Sequence, residues 1–112
     1  LFISYSASAT DENYCMGLLW IDLNADMTRP ENWHKSPQPV FKTSYENRQY
    51  GPGHNSFTRT PDGDDVLVYH ARNYTEIEGD PLYDPNRHTR LKRVCWREDG
   101  MPDFGIPPAD TI

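Results

Sequence analysis

The stretch Tyr50-Gly51-Pro52-Gly53-His54-Asn55-Ser56-Phe57 restricts the backbone more tightly than any other in the chain. Gly51 and Gly53 open φ values closed to other residues, Pro52 fixes its own φ, and a β-prone segment follows at once. The spacing predicts a tight turn that delivers His54 to the mouth of a strand. The plain alternative is a hairpin corner whose histidine only hydrogen-bonds the turn.

The rest of the chain reads as short strands separated by punctuation. Residues 1–6 carry Phe2, Ile3 and Tyr5, and a small polar loop leads from them into Tyr14-Cys15-Met16-Gly17-Leu18-Leu19-Trp20-Ile21, which together predict an antiparallel hairpin. Arg29-Pro30 blocks regular continuation, and Gln38-Pro39-Val40-Phe41 predicts a short outer strand whose proline suits an edge. After the Tyr50 turn, residues 54–60 predict a strand and Pro61-Asp62-Gly63-Asp64 a turn. Asp65-Val66-Leu67-Val68-Tyr69-His70-Ala71 is the strongest strand signal. Residues 72–89 form a long loop with Gly79, Pro81 and Pro85, longer than a connection requires and so a candidate for function. Residues 90–97 predict another strand, Glu98-Asp99-Gly100 a turn, and residues 103–108 a final edge segment. The order repeats: Phe2-Ile3-Ser4-Tyr5-Ser6-Ala7 resembles Val66-Leu67-Val68-Tyr69-His70-Ala71, and each copy runs on to a strand with a cysteine and a tryptophan. Two such units, neither able to bury its faces alone, suggest adjacent propeller blades or halves of a larger β array.

Composition narrows the functional classes. The 112 residues suit one modest domain, and a chain that opens on Leu1-Phe2-Ile3 reads as one entered in mid-strand, so a piece of a longer protein is expected. With 17 acidic against 11 basic residues, a formal charge of −6 and no basic cluster, a nucleic-acid partner is not expected. No apolar run approaches the roughly 20 residues of a membrane span, so no membrane partner is expected either. Cys15 and Cys95 lie among apolar and aromatic neighbours, where buried free thiols are expected and a disulfide is the lesser reading. His34, His54, His70 and His88 are too scattered for a local zinc site.

Taken jointly, Tyr5-Ser6-Ala7-Ser8, Tyr14 with Gly17-Leu18, Trp33 with Lys35-Ser36-Pro37, residues 50–57, Tyr69-His70-Ala71-Arg72, Arg87-His88 with Arg90, and Asp99-Gly100 with Phe104-Gly105 resemble glycoside hydrolase family 43. The family comprises five-bladed β-propeller arabinofuranosidases, arabinanases and xylosidases. The resemblance covers nearly all of the chain and implies its C-terminal part: residues 1–49 as an incomplete blade lacking its innermost strand, residues 50–112 as the final blade. An all-β fold is therefore expected, a partial five-bladed propeller of about two antiparallel blades.

The resemblance also implies inverting hydrolysis of plant cell-wall arabinofuranosides or xylosides, in which one carboxylate activates water and a carboxylic acid protonates the leaving oxygen. It places the catalytic acids upstream of Leu1. Glu78-Gly79-Asp80 imitates the general-acid motif only superficially, so no acid of this chain is carried over, and the chain alone is expected to be inactive. What it carries over is support: His54 near the propeller axis, associated through water with a calcium ion, and Arg90 near the active-site carboxylates, with Arg87 as its rival. Arg90 otherwise reads as an ordinary strand-end arginine, and Tyr5, Tyr69 and Trp96 as core or sheet-face aromatics. The implied partners are oligosaccharide or polysaccharide and the remaining blades of the same protein, and the implied location is extracellular or periplasmic. A non-catalytic sugar-binding propeller module is the alternative.

Overall fold

A computed structural model describes residues 1–111, so Ile112, the last residue assigned to the second unit, lies outside the described residues. The first sheet joins β1 (Phe2–Ala7), β2 (Cys15–Trp20) and β3 (His34–Lys35) in that order, and the second joins β4 (Tyr50–Arg59), β5 (Asp65–Arg72) and β6 (His88–Arg93). A two-stranded ribbon of β7 (Cys95–Trp96) and β8 (Pro102–Asp103) follows. Every pairing is antiparallel. Apart from two single-turn 3₁₀ segments, Pro30–Asn32 and Pro81–Tyr83, no helix occurs among the described residues. None is therefore long and apolar enough to cross a membrane.

Period-two alternation explains where the core sits. Met16 and Leu18 on β2 and Leu67, Tyr69 and Ala71 on β5 each point to one side of their strand, and these two rows face one another with Phe41, Val94 and Phe104 between and around them. Phe41 meets Tyr69 edge-on, with ring centroids 4.9 Å apart and planes at 84°, the arrangement the aromatic quadrupole favours. Neither sheet owns this core: it exists only at their junction. The β4–β5 hairpin closes as expected at residues 60–64, where Gly63 takes φ 92° and the Asp64 amide donates to Thr60 Oγ1. The all-β reading and the partial propeller hold.

The Gly-Pro-Gly stretch is not a turn ahead of a strand. It lies inside β4, which begins at Tyr50 and passes through two register shifts, one between Tyr50 and Gly53 and one between Gly53 and Ser56. Each adds one residue against β5, and left-handed backbone at Gly51 (φ 63°) and His54 (φ 51°) absorbs the extra length. The reason for glycine is crossing rather than turning. The loop of residues 8–14 passes directly over β4, so a Cβ built on Gly51 would lie 2.3 Å from the Asp11 carbonyl oxygen and one on Gly53 2.3 Å from Tyr14 Cε2.

Three smaller expectations change. The outer strand of the first sheet is His34–Lys35, paired to Trp20 and Leu19, whereas Phe41 makes a single bridge to Met16 because Pro39 removes a ladder donor just before it. The strand expected at residues 90–97 breaks at the buried Val94 into β6 and β7. Cys15 is buried and Cys95 exposed, both free; both residues of the short strand β7, Cys95 and Trp96, face solvent. Of the aromatics, Tyr69 is in the core, and Tyr5 lies flat on Gly17, its cross-strand partner. Trp96 is surface-exposed and donates its indole N–H to Asp65.

Two outcomes follow from this packing. Gly53→Ala forces the Tyr14 ring to shift and is expected to destabilise the full-length protein by about 1–3 kcal/mol, seen as a lowered denaturation midpoint. Ile3 and Leu91, 43% and 66% exposed on the outward faces of the two sheets, leave apolar surface that the 112-residue chain cannot cover. Expressed alone, it is expected to self-associate in sedimentation velocity.

Candidate active site

Four side chains converge at the end of the second sheet where β4 begins and β5 ends: His54, His70, Pro85 and Arg87 line an open pocket of about 280 Å³. The register brings them there. Gly53 pairs with His70 and His70 with Thr89, so the start of β4, the end of β5 and the foot of the long loop lie side by side. The β4 bulges then turn the His54 ring onto His70, with centroids 5.8 Å apart and planes at 19°. Tyr14, the residue that crosses Gly53, stacks on His70 at 5.8 Å and 10°. One loop crossing thus explains the glycine and orders the two histidines.

His70 is held uncharged. Burial lowers its pKa to about 4, helped by the guanidinium of Arg87, the neighbouring His54 ring and then Arg72. Its Nδ1 is buried without a hydrogen-bond partner among the described residues, an arrangement a neutral ring tolerates far better than an imidazolium. The pocket therefore offers one neutral imidazole, one exposed histidine and one guanidinium. That set suits hydrogen bonding to a polyhydroxylated ligand and holding nearby carboxylates ionised. With no carboxylate among its four lining residues, it cannot by itself supply the acid and base of glycoside hydrolysis.

The long loop behaves as strand parity requires. Residues 73–87 rise at the same end as His54, and the turns at residues 60–64 and 98–100 lie away from it. Arg90 stands at this end too, but Tyr69 and Arg90 are cross-strand partners one step removed from His70 and Thr89, so its side chain leaves the opposite face. There it pairs with Asp110 and donates to Asn73 Oδ1 at 3.0 Å and to the Ala71 carbonyl at 3.3 Å. The arginine beside His54 is Arg87. Alternation along β6 carries the signal that separates the two, but the sequence does not reveal where that strand starts. Glu78 is exposed on the loop. Calcium takes about six to eight oxygen ligands. Among the described residues no three His, Cys, Asp or Glu side chains cluster to hold a metal, and His54 contributes only nitrogen. The described residues therefore supply no direct calcium ligand set, and a contact of His54 with such an ion would run through water.

The profile of glycosyl hydrolases family 43 matches residues 1–102. The chain belongs to glycosyl hydrolase family 43. Among curated proteins, this family 43 chain is 60% identical over its whole length to the extracellular exo-α-(1→5)-L-arabinofuranosidase of Streptomyces avermitilis, of which it covers 24%. It is 56% identical over 98% of its length to α-L-arabinofuranosidase 43 of Humicola insolens, covering 23% of that protein. Among solved structures, the α-L-arabinofuranosidase from Lactobacillus brevis superposes on 99% of the chain with a TM-score of 0.94 at 56% identity, the match spanning 35% of that chain. The family 43 chain thus spans about a quarter of the curated relatives it matches.

The depressed pKa of His70 has a definite sign. An unfolded histidine binds a proton near pH 6.5 and the folded one near 4, so the stability that neutral His70 contributes is complete above pH 6.5. It is lost progressively as the pH falls to about 4. In the full-length protein His70→Gln is expected to remove about 1–2 kcal/mol of the stability difference between pH 7 and pH 4.5 in urea unfolding, the partial exposure of the ring keeping the effect below the full linkage value.

Proposed function

We propose that this chain forms one wall of the sugar pocket of a secreted α-L-arabinofuranosidase, with His54 and Arg87 as its substrate-facing groups. The observation that carries this reading is that His54, His70 and Arg87 meet in one open pocket beside the long loop. In the intact protein the general base and general acid come from other blades. Arg87 keeps the base ionised and donates to a sugar hydroxyl, and His54 donates or accepts at a second hydroxyl. On this reading Arg87 takes the part the resemblance gave to Arg90, while Arg90 braces the loop foot. Arabinofuranosides are preferred to xylosides because the relatives at 56–60% identity are named arabinofuranosidases. The relative named extracellular supports secretion. A second reading is a sugar-binding module without turnover, in which His54, His70 and Arg87 hydrogen-bond saccharide hydroxyls.

The test uses the full-length protein and aryl α-L-arabinofuranoside and aryl β-D-xyloside substrates. Arabinofuranoside hydrolysis with inversion is expected. Arg87→Ala and His54→Ala are each expected to lower kcat/KM at least about 100-fold, roughly the loss of one charge-assisted contact in the transition state, without a change in denaturation midpoint. Arg90→Ala is expected to lower the midpoint instead. Unimpaired turnover in Arg87→Ala defeats the site assignment. Saccharide binding without turnover in the wild type establishes the binding module.

A further inference from the structure

Arg72, the last residue of β5, is 2% exposed, and its guanidinium fans out to three partners from two different loops. Nη1 donates to the Thr10 carbonyl in the loop of residues 8–14, and Nη2 donates to the Pro81 carbonyl in the loop of residues 73–87, at 2.6 Å. Nε lies 3.4 Å from Asp84 Oδ1, out of hydrogen-bonding alignment but in ion-pair range. Asp84 is in turn the hub of the long loop. It accepts from Tyr74 Oη at 2.7 and 2.8 Å and from the Asn86 amide at 2.9 Å, while Asn86 Nδ2 donates to Tyr74 Oη at 3.0 Å. The Tyr74 hydroxyl, the Asn86 amide and then Arg72 hold the Asp84 carboxyl below its usual range, so the pair stays charged. The residues immediately after Asp84 are Pro85, Asn86 and Arg87, and the first and last of these line the pocket.

We propose that Arg72 is a positioning residue: it staples the two loops at the pocket end together and thereby holds Pro85 and Arg87 over the His54–His70 pair. A buried guanidinium is costly without partners, and here two backbone carbonyls accept from Nη1 and Nη2 while the Asp84 carboxylate lies in ion-pair range of Nε, a set no single strand could offer. The loop contains only one short 3₁₀ turn and no strand, so this charge and the Asp84 hub supply order that a hydrogen-bond ladder supplies elsewhere. Lysine carries the same charge on a point donor and cannot span acceptors on two sides, so Arg72→Lys releases the loop while keeping the charge. When only a fraction of molecules holds the loop in place, apparent affinity falls by that fraction, whereas turnover of saturated enzyme does not.

The functional arm of the test rests on the arabinofuranosidase reading; the structural arm does not. In the full-length protein, amide hydrogen exchange of residues 73–87 is expected to accelerate about tenfold in Arg72→Lys, with exchange in β4 and β5 unchanged. KM for the aryl arabinofuranoside is expected to rise about tenfold with kcat within about threefold of wild type. Asp84→Asn, which keeps the shape and the Tyr74 bond but loses the charge, is expected to move both quantities in the same direction by less, and decides the matter if Arg72→Lys does not fold. Unchanged exchange in residues 73–87, or a fall in kcat with KM unchanged, overturns the proposal. Absence of any turnover in the wild type removes the arabinofuranosidase reading and leaves the exchange result to decide the role of Arg72.

Discussion

The ring of Tyr14 lying on the bare Cα of Gly53 is the contact on which the remaining arrangement depends. It sets how closely the first sheet's loop approaches the second sheet, and so how the rows on β2 and β5 meet in a common core. The same ring continues into the stack with His70 and His54. Around it, the Asp11 carbonyl rests on Gly51, while Thr43 Oγ1 donates to the Glu12 carbonyl at 2.6 Å and accepts from the Gly51 amide at 2.9 Å. Packing and chemistry share one crossing point, which is why a backbone without side chains is needed where the sequence most resembles a turn.

Three arginines gather at this end of the sheet and are divided by depth. Arg72 is enclosed and spends its donors on backbone and Asp84; Arg90 is partly enclosed and spends them on Asn73, the Ala71 carbonyl and Asp110; Arg87 is tied at one nitrogen only, to the Leu82 carbonyl at 2.9 Å. A guanidinium turned to the open pocket with one tie can receive a ligand, and one enclosed among several protein acceptors holds structure. The distinction is geometric. Residue type says nothing about it.

The strands were legible because each carries a local signal. Val66, Val68 and Tyr69 are β-branched or aromatic, and residues 61–64 close a hairpin by their own chemistry. The bulges in β4 were not, because a Gly-Pro-Gly run has the same φ permissiveness whether the chain turns or is crossed by another segment. The exposure of Cys95 was hidden for a related reason: where β6 breaks at Val94 the alternation resets, and no local residue marks the break. Of the site, His54 was visible from its neighbours. His70 and Arg87 became its companions only through the register Gly53 with His70 and His70 with Thr89, information that resides in strand pairing across distant positions. Arg72 and Asp84 belong to the same category, being separated by a loop that folds back on itself.

A core assembled from both sheets also has a consequence in time. Met16 and Leu18 leave the ribosome long before Leu67, Tyr69 and Phe104, the residues that cover them. During synthesis the first hairpin emerges with its apolar row bare until the second sheet follows it. Nascent chains of this architecture must keep that hairpin from pairing with others until its neighbour has been translated, which makes translation pace and chaperone access part of what determines yield.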